Sequence, residues 1–129
     1  MQFIEVNGVG LRYELAGNGE RTVVLIHEMG GSLESWDEVV PRLAARRRVL
    51  RYDTRGAGLS EKVRGVLSID TMVHDLTALM DALGITGKVA LAGVAVGGAI
   101  ARRACPSAYP RLWWGARRSQ LHPTGGRRR

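Results

Sequence analysis

Thr22-Val23-Val24-Leu25-Ile26, running on into His27-Glu28-Met29-Gly30-Gly31-Ser32, is the stretch on which the fold turns. Its first five residues are apolar or β-branched with no polar alternation, the pattern of a strand covered on both faces inside a parallel sheet. The glycines that follow end the strand in a loop. Val49-Leu50-Arg51-Tyr52 and Val89-Ala90-Leu91-Ala92 repeat the strand pattern more weakly. Between these last two, Ile69, Met72, Val73, Leu76, Leu79, Met80 and Leu83 follow helical spacing, with Ser68 as N-cap and Gly84 as the stop. A less regular helix carrying Pro41 is expected over Trp36 to Ala45. Strands alternating with helices predict an α/β fold, a mostly parallel sheet with crossover helices. Ahead of it, Phe3, Ile4 and Val6, then Asn7-Gly8, then Leu11, Tyr13 and Leu15 read as a β-hairpin, because Asn-Gly accepts the positive φ of a tight reversal.

The 129 residues leave room for one core, and 45% hydrophobic with 24% charged is a globular composition. The single Cys105 cannot form an internal disulfide, which excludes the disulfide-stapled secreted scaffolds and points to a reducing, cytoplasmic setting. No signal peptide is legible at Met1-Gln2-Phe3-Ile4-Glu5. The longest apolar run, Val89 to Ala101, is shorter than the ~20 residues of a membrane span. A membrane partner is not expected.

The net charge of +7 is unevenly spread. Residues 1–101 hold 11 basic and 12 acidic residues; residues 102–129 hold 8 arginines and no acid. The chain therefore divides into a 1–101 domain and a 102–129 arginine-rich tail in which no element is expected. Part of that tail, Ala116-Arg117-Arg118-Ser119-Gln120-Leu121, can be encoded by codons whose shifted frame reads as a buried strand, so an out-of-frame origin is permitted. Its arginines with Tyr109, Trp113 and Trp114 have the composition of a nucleic-acid or anionic-surface binder, but a confined basic tail is more often unselected, and nucleic acid is not the expected partner.

Ligands of open parallel sheets bind beyond the carboxyl ends of the strands. Three glycine-rich loops leave strands there: 27–32, then Asp53-Thr54-Arg55-Gly56-Ala57-Gly58-Leu59-Ser60, then Gly93-Val94-Ala95-Val96-Gly97-Gly98. The third is framed as a nucleophile elbow, a strand-to-helix turn so tight that small residues flank its centre. With Trp36-Asp37 and the strand-loop-helix order, these motifs make residues 1 to about 101 resemble the N-terminal half of an α/β-hydrolase fold, truncated, and similar to its 3-oxoadipate enol-lactonase-like branch.

The resemblance implies a carboxylic-ester or lactone hydrolase without cofactor or metal, acting on a small molecule. It places the backbone N–H groups of Met29 and Val96 at an oxyanion hole. Three positions depart from the family pattern. Ala95 stands at the nucleophilic serine, Glu28 at a usual glycine and Ala57 at a common histidine. No acid follows Asp81, and His122 is the sole later histidine, so the family's triad cannot be assembled along this chain. An inactive, pseudoenzyme-like protein is the expectation; the alternative is a family member that uses the oxyanion site for ligand binding or for chemistry that needs no serine.

The remaining candidates divide between structure and chemistry. His27 either packs and bonds the loops or contacts substrate. His74 falls off the apolar stripe and is expected in solvent. Asp53 and Arg55 are expected to pair across their turn. Ser32 and Ser60 lie on no elbow. Finally, Val89–Ala92 would form an unpaired apolar sheet edge, through which the chain would self-associate.

Overall fold

The computed structural model describes residues 2–104 and 112–113. Five strands and a two-residue sixth form one sheet in the order β1-β2-β4-β3-β5-β6. β1 (Gln2–Val6) and β2 (Val9–Ala16) are the expected antiparallel hairpin, reversed at Asn7 and Gly8, whose φ values of +51° and +76° are those of a primed turn. β2 lies antiparallel to β4 (Arg48–Tyr52), and β4, β3 (Thr22–Ile26) and β5 (Val89–Gly93) run parallel. All five residues of β3 are buried, as expected of a central strand.

The two faces of the sheet carry separate cores. Val24, Ile26, Leu50, Tyr52, Val89 and Leu91 face α2 (Ile69–Ala82) and α3 (Val96–Ala104). From α2, Leu76, Leu79 and Met80 enter this core with no exposed surface, so cutting any of them to alanine costs about 2–5 kcal/mol. Ser68 caps α2 by accepting from the Thr71 N–H at 3.1 Å, and Gly84, at φ +68°, ends it. On the opposite face Val23, Leu25 and Val49 pack under Val40, Trp36 and Leu43.

Three expectations need correction. The helix over Trp36–Ala45 is two pieces: a 3₁₀ turn, Leu33–Trp36, capped by Ser32, and α1, Val40–Ala44. Pro41 explains the break, since its ring and missing N–H suit the first turn of a helix and not its interior. The boundary drawn at Arg102 does not exclude a helix, because α3 continues across it through Arg102 and Arg103, and Arg103 pairs with Asp70 at the start of α2 at 3.1 Å. Nor does the tail lack every element: Leu112–Trp113 form β6, parallel to β5, with Val89 opposite Leu112 and Ala90 opposite Trp113. The open edge of β5 offers their backbone groups partners. That edge is therefore covered at its first two residues. The rest of the tail lies outside the described residues.

Candidate active site at the carboxyl ends of the strands

β5 ends at Gly93 and α3 begins at Val96, leaving Val94 and Ala95 to reverse the chain. A turn this short forces Ala95 to φ +54°, one of two non-glycine residues with positive φ among the described residues. It also brings the first turn of α3 against the strands. A Cβ on Gly93 would lie 2.3 Å from the carbonyl of Gly97, and one on Gly97 would lie 2.1 Å from the Ile26 oxygen. Both positions are confined to glycine by backbone, which no rotamer change can relieve. The Gly-x-Ala-x-Gly spacing is thus the steric signature of the turn itself. Ala95 is exposed at its tip, and Val96, as first residue of the helix, has an N–H with no intrahelical acceptor.

The loop after β3 is set by His27, which is 1% exposed. Its Nε2 accepts from the Thr54 N–H at 3.0 Å, so Nδ1 carries the proton and donates to the Glu28 carbonyl at 2.7 Å. Both ring nitrogens are thereby committed to the backbones of two loops. Beyond it, Met29 is 77% exposed and Gly30 turns the chain at φ +82°. The carboxylate of Glu28 lies over Gly31 and accepts from Ser35 Oγ at 3.1 Å.

Asp53 organises the second loop. Fully buried, its carboxylate accepts from Arg12 Nε at 2.7 Å and from the backbone N–H groups of Leu33 at 2.7 Å and Leu59 at 2.8 Å. One side chain so joins β2 to the loops after β3 and β4. Gly58 must be glycine twice over, since its φ is +51° and a Cβ would lie 2.3 Å from the Asp53 carboxylate. Ser60, also buried, donates to the Asp53 carbonyl at 2.6 Å and accepts from the Arg12 N–H at 2.9 Å, a loop-bonding role. Arg12 turns its other edge to Glu34. That hydrogen bond, with a second from Ser32, holds the Glu34 carboxyl at about 2, and it also raises the Arg12 pKa above its ordinary value, ahead of the contribution from Asp53.

The expected Asp53–Arg55 pair does not form. Asp53 points inward to Arg12, whereas Arg55 reaches α2 and grips Asp75 at 2.8 and 2.9 Å. Asp75 is 1% exposed and accepts from Asn7 Nδ2 as well, which ties the hairpin turn to the same pair. Two carboxylates buried in adjacent networks each need a guanidinium, and Arg55 is the one within reach of Asp75. Burial, and then the charge of Asp75, push the Tyr52 hydroxyl up. His74 is exposed, in keeping with its place off the stripe. Sequence reasoning missed Arg12, Glu34 and Asp75. A signal existed for Asp75: it follows Met72 by three and precedes Leu79 by four, on the apolar stripe, where an acid implies a buried partner.

Ala95 and Met29 thus lie on open surface at the carboxyl end of the parallel strands, with the loops around them locked by His27 and Asp53. Among the described residues no group of three His, Cys, Asp or Glu could hold a metal ion, and no helix is long and apolar enough to cross a membrane.

Residues 21–111 match the family described as alpha/beta hydrolase fold. The chain is similar to the enol-lactonase from Burkholderia xenovorans LB400, with 35% identity and a TM-score of 0.73 over 77% of this chain and 39% of that one. It is 36% identical over 101 residues to the 2-hydroxy-6-oxo-6-(2'-aminophenyl)hexa-2,4-dienoic acid hydrolase of Metapseudomonas resinovorans, covering 76% of this chain and 34% of that protein. Over 100 residues it is 42% identical to the dihydrolipoyllysine-residue acetyltransferase component of the acetoin cleaving system of Pseudomonas putida, covering 77% of this chain and 27% of that protein. The chain thus spans about a quarter to two fifths of the length of these relatives.

Proposed function

Since this chain belongs to the α/β-hydrolase fold family, we propose that it carries the carbonyl-binding part of an ester- or lactone-directed site and does not itself hydrolyse the bond. The observation that carries the reading is Ala95, at φ +54° on the tip of the elbow, where a methyl group takes the place of a nucleophile. A methyl cannot attack a carbonyl. The first-turn N–H of Val96, backed by the dipole of α3, together with the N–H of Met29, would polarise a carbonyl oxygen, since backbone donors are independent of side-chain identity. The ligand is a small carboxylic ester or lactone, enol-lactones included, and the site needs no metal or cofactor. The low cysteine content suits a reducing cytoplasm. Residues 102–129, the arginine-rich tail, contribute nothing to this site in our reading and are an unselected, out-of-frame stretch.

Two measurements test the two halves of the proposal. In amide-resolved NMR, titration with a short-chain lactone should shift Val96 and Met29 first, and unmoved Val96 and Met29 signals would remove the carbonyl site. In a rate assay on activated esters and enol-lactones, the parent and Ala95→Ser should agree within about threefold, because a serine hydroxyl is a weak nucleophile without a base to take its proton. A large gain in Ala95→Ser that vanishes with His122→Ala would show that a base is present, and turnover by the parent would refute the inactive reading outright.

A further inference from the structure

The large apolar side chains left exposed are not scattered. Of the six among the described residues, Met29, Leu59, Val66, Leu67 and Val94 all belong to the chain that leaves the carboxyl ends of β3, β4 and β5, and Phe3 alone lies elsewhere. Single exposed apolar residues are ordinary, whereas a cluster of them marks a binding surface. The three stretches are also joined at their roots. The Val94 N–H donates to the Ile26 carbonyl at 3.3 Å, the Thr54 N–H donates to His27 at 3.0 Å, and Leu67 lies over Gly56, where a Cβ would meet its Cδ1 at 3.8 Å. A stable protein interface takes about 20–30 residues a side, so a rim of five side chains is sized for a small molecule.

The charges of the same stretches are an independent observation. Asp53 and Arg55 are paired with Arg12 and Asp75, Glu61 accepts from the Gly10 N–H at 2.9 Å, and the Lys62 ammonium donates to the Gly58 carbonyl at 2.6 Å. Arg64, exposed, is the cation there without a hydrogen bond or ion pair among the described residues. Glu28 stands apart from the matched carboxylates. Half-buried and next to Met29 in the chain, it accepts from Ser35 Oγ at 3.1 Å and has no cation beside it among the described residues. An uncompensated negative charge therefore adjoins the Met29 N–H.

We propose that the rim of Met29, Leu59, Leu67 and Val94 seats the apolar part of an uncharged ester or lactone, and that Glu28 turns away ligands carrying a carboxylate. The inference rests on the carbonyl site proposed above and narrows what that site takes. Met29 would serve twice, its N–H toward the carbonyl oxygen and its side chain against the alkyl part. A ligand carboxylate would give up hydration at an apolar surface and meet like charge at Glu28. An alkyl chain gives up nothing but contact with water, and gains roughly fourfold in affinity for each methylene fully buried, or about twofold where half of it stays in solvent.

The test is amide-resolved NMR titration of the full chain, read at Val96 and at constant ionic strength, with γ-butyrolactone, γ-octalactone and γ-carboxy-γ-butyrolactone. The octalactone, longer by a butyl chain, should bind about tenfold more tightly than γ-butyrolactone. The carboxylate should bind about tenfold more weakly than γ-butyrolactone. Leu59→Gln should cut the gain of the octalactone to about threefold, and Glu28→Gln should bring the carboxylate to within about threefold of γ-butyrolactone. Phe3→Gln, away from the rim, should change neither ratio. Leu59 and Phe3 are exposed and Glu28→Gln is isosteric, so the variants fold, which circular dichroism checks. Equal affinity for the two uncharged lactones overturns the proposal, as does a carboxylate penalty that persists in Glu28→Gln. Tightest binding of the carboxylate, lost in Arg64→Gln, would assign selection to that cation and overturn it too, and an oligomer that Leu59→Gln dissociates would place a second copy on the rim with the same result. These failures leave Val96 responding to γ-butyrolactone; if no lactone moves Val96, the carbonyl site itself is refuted and this inference falls with it.

Discussion

Replacing Ala95 with glycine should stabilise this protein, although alanine to glycine is ordinarily destabilising. Ala95 is held at φ +54° by the two-residue reversal between β5 and α3. A residue with a Cβ costs roughly 1–2 kcal/mol in that region, and glycine removes the cost. Against this, glycine loses more backbone freedom on folding, roughly 0.4–1 kcal/mol. The difference is a net gain of about 0.5–1 kcal/mol, or some 4 °C in Tm for a domain of this size. Ala95 is exposed, so little packing is lost with its methyl. Ala99, exposed four residues later in α3, is the matched control, and Ala99→Gly should lose about 1 kcal/mol through helix propensity alone. Urea unfolding followed by far-ultraviolet circular dichroism reads both, and opposite signs are expected. If Ala95→Gly loses stability to the same extent as Ala99→Gly, the elbow is not strained and the steric account of the turn fails.

Two further outcomes follow from the charge networks and one from the edge of the sheet. Asp53→Asn should cost about 3–5 kcal/mol, because it leaves the buried Arg12 guanidinium without its inner partner, and urea midpoints check it. The Glu34 carboxyl is lowered to about 2 in the folded chain from 4.5, so its contribution is fully present above the higher value and is lost as pH falls through the lower. Since the Glu34 side chain is 53% exposed, that contribution is at most about 1 kcal/mol; Glu34→Gln should flatten the acid limb of stability against pH, and an unchanged limb would show the pair to be inert. Beyond the two residues covered by β6, the outer edge of β5 at Leu91–Gly93 has no strand partner among the described residues, so the chain should associate with rising concentration and Ala92→Lys should reduce this. Light scattering that shows a monomer throughout would refute it.

Legibility in the sequence followed the range of the interaction. The hairpin turn at Asn7-Gly8, the cap at Ser68, the stop at Gly84 and the buried strand Thr22–Ile26 each depend on the conformational preference of a few adjacent residues, and all were readable. So was the elbow, because its glycines are demanded by contacts within the turn and with the strand beside it. Pro41 is visible in the sequence too, and the division into a 3₁₀ turn and a short helix follows from its missing N–H.

The sequence by itself determined the class of sheet, the glycine-rich loops at the carboxyl ends of its strands and the methyl group of Ala95 at the tip of the elbow. Only the tertiary structure decided which charges meet. Arg12 joins Asp53 across 41 positions and Arg55 joins Asp75 across 20, and the hairpin turn enters the second pair through Asn7. The pairing of Asp53 with Arg55, two positions away, looked natural because proximity along the chain is all that a sequence displays. A β-strand turns alternate side chains to opposite faces, and a buried carboxylate takes whichever cation the packed elements bring within hydrogen-bonding distance.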